Sequence, residues 1–107
     1  MHRDVIERTA DLADRIREAH RTGSLERLAD EFAEVLQTFP DYPAMAFPSG
    51  FMDVVNAEAE RVIGKIESWI NKDLADGEDA QRLAEAVYRI RRALEEIDHW
   101  RRHYLPA

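Results

Sequence analysis

The sequence predicts an all-α protein, a four-helix antiparallel bundle of two helical hairpins joined by a Pro- and aromatic-rich loop. Three observations carry that expectation. Apolar residues recur at alternating three- and four-residue spacing through most of the chain, the mark of amphipathic helices. Glycines and prolines interrupt the pattern at a few places that divide it into four stretches. The 107 residues contain no repeat, low-complexity tract or linker, so residues 1–107 read as a single helical domain.

Val5, Ile6, Thr9, Leu12, Ala13, Ile16 and Ala19 share one face and predict helix 1 over about 3–21. Gly23 then suits the left-handed residue that ends a helix, and Ser24 the cap of the next. Helix 2 is expected over about 25–38, turning Leu25, Leu28, Ala29, Phe32, Leu36 and Phe39 inward, and so short a connection makes helices 1 and 2 a hairpin. From Phe39 to Phe51, Pro40, Pro43 and Pro48 remove backbone donors and block helical geometry before each ring. Ser49 is placed to cap helix 3, about 51–74, with Met52, Val55, Ala59, Val62, Ile66 and Trp69 inward and Ile63 and Ile70 beside them. Asp76-Gly77 provides a tight turn. Helix 4, about 79–104, carries Leu83, Val87, Ile90, Leu94 and Ile97 in a regular seam that suits a long antiparallel partner. Glu85 with Arg89, and Asp98 with Arg102, are spaced as supporting ion pairs.

Composition narrows the function classes. There is no cysteine, hence no disulfide framework, thiolate metal site or cysteine nucleophile. A single domain of this length buries roughly two-thirds of its unfolded surface, enough for a core without such staples. The acidic N-terminal residues do not resemble a signal peptide, and no apolar run approaches the roughly 20 residues of a membrane span, so a cytoplasmic protein is expected. A net charge of −7 opposes nucleic-acid binding and favours basic protein partners. The acidity lies in the first three helices, whereas residues 78–107 hold 6 basic and 6 acidic side chains and end basic and aromatic, at Arg101, Arg102 and Tyr104.

Several constellations invite chemistry. Glu96 and His99 have the Glu-x-x-His spacing of di-metal bundle proteins, and Glu95, His99 and His103 line up along helix 4 as ligand types for a transition metal. Both Glu96 and His99 lie off the apolar seam, and Arg92 and Arg102 oppose a cation there. Glu31 with Glu34, and Glu95 with Asp98, are the carboxylate pairs with which helical nucleotide pyrophosphohydrolases hold magnesium. Ser24 and Ser49 read as caps rather than nucleophiles, and His20 as a partly buried helix-end histidine. No cofactor is expected. The Pro-rich segment is longer than most helix connections, and its aromatic residues serve either as a lid on the core or as a binding loop, with Tyr42 and Phe47 as rigid anchors.

Leu25 to Pro43 reads as an acidic amphipathic helix, then a Pro-containing turn and a Tyr-Pro pair, before Pro48-Ser49-Gly50 opens another helix. This order of elements resembles that of the small acidic immunity proteins of nuclease colicins and pyocins. The resemblance covers about 40 residues and implies a non-enzymatic inhibitor that covers a basic nuclease toxin. By it, Glu31 and Glu34 correspond to the acidic helix, and Asp41, Tyr42 and Pro43 to the Tyr-Pro segment. The functional expectation is therefore a protein-binding module for a basic partner, using Glu31, Glu34, Asp41, Tyr42 and Phe47. The rival expectations are a metal-dependent helical enzyme, pyrophosphohydrolase-like or di-metal oxidase-like, and a structural homodimer that pairs the helix 4 seam with its own copy.

Overall fold

Four helices follow from the four amphipathic stretches. A computed structural model describes residues 2–42 and 47–104, with side chains described for 5–42 and 47–102. α1 spans His2–Glu18, α2 Thr22–Gln37, α3 Phe51–Asn71 and α4 Gly77–Tyr104, and a 3-10 turn, Phe39–Asp41, follows α2. There is no strand among the described residues. At about 1.5 Å per residue the 28-residue α4 is about 42 Å long, which matches the longest dimension of the molecule, 44 Å, so the helices run along that axis.

α1 packs on α2, and α3 on α4, as the two expected hairpins; α1 also packs on α3, and α2 on α4. The order around the bundle is therefore α1, α2, α4, α3, and the Pro-rich connection crosses the diagonal. Glu26 meets Arg82 and, further along both helices, Asp30 meets Arg89, so α2 and α4 run parallel. The seam of α4 thus has the antiparallel partner expected of it in α3, and a more extensive parallel one in α2. Buried alanines, Ala29 and Ala33 on α2 and Ala86 and Ala93 on α4, explain the preference, because small side chains let two helices approach closely.

The inward positions read from the spacing form the core. Leu12, Ile16, Leu25, Phe32, Leu36, Val55, Val62, Ile66, Leu83, Ile90 and Ile97 are all buried, with Ile6, Trp69, Ile70 and Leu94 partly so at its margin. Thr9, a polar residue on the buried face of α1, satisfies its hydroxyl by donating to the Val5 carbonyl one turn back, at 2.9 Å.

The helix ends depart from expectation. α1 stops at Glu18, and Gly23 and Ser24 lie inside the first turn of α2 instead of capping α1 and α2. The reason is tertiary: the Lys65 ammonium of α3 donates to the carbonyls of Arg17 at 3.0 Å and Ala19 at 3.1 Å, so the α1 terminus needs no glycine. Lys65 also sits 5.3 Å from the centre of the Trp69 ring. The Trp69 indole donates to the Thr22 hydroxyl at 3.1 Å, and that hydroxyl donates to the Leu74 carbonyl at 3.0 Å. Ser49 does not cap α3; Gly50 holds that place in the left-handed conformation, φ 81°, and no side chain caps it.

α3 ends three residues earlier than expected. Asp73 takes the left-handed position, φ 55°, while its N–H bonds Ile70 and the Leu74 N–H reaches back to Trp69 at 3.1 Å. This pair of bonds is the Schellman closure, usually built on glycine. An aspartate there carries backbone strain that glycine does not. Replacing Asp73→Gly is accordingly expected to stabilise the fold by about 0.5–1 kcal/mol in urea unfolding. Lys65→Met, which keeps the stem but leaves two α1 carbonyls without their cation, is expected to cost about 1–2 kcal/mol by the same measurement.

Candidate functional site

The candidate surface begins on α2. Glu31 and Glu34 are three residues apart and so share a helix face; Glu34 is exposed and Glu31 half-buried. With Glu26, Asp30, Arg27 and Gly23 they line a shallow hollow. The six are not equivalent. Glu26 and Asp30 lean toward α4, where Arg82 and Arg89 meet them, whereas Glu31 and Glu34 form no ion pair among the described residues. Beyond α2 the 3-10 turn presents Asp41, exposed and also without an ion pair among the described residues, and then Tyr42, half-buried. Glu26, Asp30 and Glu34 recur every four residues, a periodic signal that marks one acidic face, yet only spatial proximity shows that the first two are neutralised from α4.

The aromatic segment divides between folding and surface. Phe39, Phe47 and Phe51 form a stack, with ring centres 5.1 Å apart for Phe39–Phe47 and 4.7 Å for Phe47–Phe51, and Trp100 of α4 meets Phe47 edge-on at 5.9 Å. Phe47 is only 9% exposed. The expectation of Phe47 as a partner-binding anchor is thus corrected: its ring closes the end of the core. Tyr42 rests edge-on against Phe47 at 5.9 Å with part of its surface open. Pro43 and Met45 of the same segment lie outside the described residues.

The metal-binding expectation is not met by the described side chains, which bring together no group of three ligand types. Ile97 turns into the core, and Glu95, Glu96 and His99 are exposed around it. Glu95 pairs with Arg92 at 3.7 Å, while Glu96 and His99 border a hollow beside Pro40 and Trp100. The side chain of His103 lies outside the described residues. The two carboxylate pairs do not assemble either, since Asp98 is held by Arg101 at 3.2 Å and Arg102 at 3.0 Å. Those arginines neutralise the charge a divalent ion would need.

On the rest of α4, Asp98 and Arg102 pair as spaced, but Arg89 turns to Asp30 rather than Glu85. The Leu83, Ile90 and Ile97 seam is buried within the chain, so it is not free to pair with a second copy. Trp100 is buried, leaving Tyr88 as the exposed aromatic of this helix among the described side chains. His20, expected to be partly buried, is exposed. No helix among the described residues is long and apolar enough to cross a membrane.

Comparison of the chain with protein-family models, curated proteins and solved structures found no match.

The division between core and surface positions has a direct test. Phe47→Ala is expected to lower stability by about 3–4 kcal/mol in chemical denaturation, because it empties the centre of a ring stack. Glu34→Gln, on an exposed carboxylate, is expected to change it by less than about 0.5 kcal/mol.

Proposed function

We propose that the chain is a non-enzymatic binding module that occludes a basic protein partner with the outer face of α2 and the turn after it. The observation that supports this reading is the set of uncommitted acids. Glu31, Glu34 and Asp41 have no ion pair among the described residues, although Glu26 and Asp30 of the same helix are neutralised by α4. Carboxylates left open to solvent steer a positively charged protein toward the surface and accelerate encounter. Tyr42, fixed against the Phe47 ring and half open, supplies an amphipathic contact with little side-chain freedom to lose on binding. Occlusion requires no chemistry from the chain itself. The likeness of the α2-to-Tyr42 stretch to immunity proteins of nuclease toxins points the same way and makes a basic toxin the first partner to try.

Capture from low-salt lysate of the source cell tests the reading, with the wild-type chain and the Glu34→Lys/Asp41→Ala/Tyr42→Ala variant immobilised in parallel. Basic proteins retained by the wild type are expected to be lost from the variant and to be released from the wild type by added salt. A variant that keeps every wild-type partner would remove this surface from consideration.

A further inference from the structure

α4 presents to solvent a stripe of six exposed side chains: Glu85, Tyr88, Arg92, Glu95, His99 and Arg102. The spacing along it alternates three and four residues, which keeps the six on one side of the helix, away from the buried Leu83, Ile90 and Ile97. Taken from its two ends inward, the stripe matches Glu85 with Arg102, Tyr88 with His99, and Arg92 with Glu95. All three matches share one midpoint, between Ala93 and Leu94. Each acid therefore has a base at its mirror position, and the tyrosine has an imidazole.

Only the Arg92–Glu95 match lies within the three or four positions over which charges interact along one helix; the rest of the symmetry has no use there. It fits an antiparallel helix related by a two-fold axis, because residues at mirror positions then face each other. The geometry points to this stripe as a contact between two copies of the chain, α4 against α4, with the axis crossing between Arg92 and Glu95. Opposite charges meet at Glu85 and Arg102 of the two copies and again at Arg92 and Glu95. Tyr88, 64% exposed and the largest apolar surface on the stripe, is covered by the imidazole of His99. The contacts run from Glu85 to Arg102, about 25 Å of helix.

The present pairings of these groups do not prevent the contact. Arg92 and Glu95 lie 3.7 Å apart within the chain with side chains 57% and 71% exposed, and Arg102 reaches Asp98 while itself 73% exposed. Exposed pairs of this kind hold weakly and can be shared with a second copy. Glu85 has no ion pair among the described residues, because Arg89 is engaged by Asp30. A mainly polar stripe makes a weak, salt-sensitive dimer. The contact is independent of the partner-binding reading, since it uses α4 and leaves Glu31, Glu34 and Tyr42 outside it.

Sedimentation equilibrium of the full chain over a wide concentration range, in low and high salt, tests the proposal. The wild type is expected to approach twice the monomer mass at the highest concentrations in low salt and to return to monomer when salt is added. Arg92→Glu and Glu95→Arg each place like charges at both central mirror positions and are expected to weaken self-association by on the order of tenfold. An equimolar mixture of the two variants again opposes acid to base at those positions and is expected to regain association that neither shows alone. Circular dichroism and thermal unfolding of each variant confirm that the fold is retained. A wild type that stays monomeric throughout, single variants that associate as the wild type does, or a mixture no more associated than its components would each overturn the proposal.

Discussion

The Lys65 ammonium is the point on which the arrangement of the helices turns. It sits on α3, well past the diagonal crossing, yet its donors end on the last carbonyls of α1, and its charge lies over Trp69, whose indole continues to Thr22 and so to Leu74. One cation and one hydroxyl thereby join the end of α1, the start of α2, the end of α3 and the approach to α4. A helix terminus exposes carbonyls that must find donors, and a lysine supplies several without the fixed plane of a guanidinium. The bonds tie the C-terminal end of α1 to the C-terminal half of α3, in keeping with the parallel course of these two helices.

The opposite end of the bundle is closed by different means. There Phe39, Phe47, Phe51 and Trp100 bury one another, and the proline-interrupted chain is held both by these rings and by backbone turns, with Tyr42 N–H donating to the Phe39 carbonyl and Phe51 N–H to the Pro48 carbonyl. This closure fixes where Tyr42 and Asp41 emerge. The acids of α2 lead directly into that end, so the surface proposed for a partner grows out of the packing beneath it: Tyr42 rests edge-on against the buried Phe47 ring.

Much of this was legible in the chain before any contact was known. Four helices, two hairpins and the inward positions follow from spacing alone, because an amphipathic helix that hides Leu12 and Ile16 has little choice of face. The ends were not legible for a physical reason. Gly23 and Ser49 carry the right local chemistry for caps, but the groups that settle those termini are Lys65, more than forty residues away from α1, and the left-handed backbone of Gly50. Parallel packing of α2 on α4 was likewise hidden, since alanines such as Ala86 and Ala93 add little to an apolar pattern and matter only by being small. At the candidate site the acids and Tyr42 could be named from the sequence. The burial of Phe47, and the removal of Glu26 and Asp30 by α4, depend on side chains remote in sequence and could not.

The diagonal crossing also divides the contacts of the molecule by what they cost to close. Contacts within each hairpin join residues close in the chain, whereas the ties between hairpins, Lys65 to Arg17 or Arg89 to Asp30, close loops of 48 and 59 residues. Closing such loops costs chain entropy that only a pre-formed surface can repay at once. The cheap closures therefore lie within each hairpin, and the costly ones between the two. The inner faces of α2 and α4, buried against each other, are where those costly closures are repaid in apolar surface removed from water.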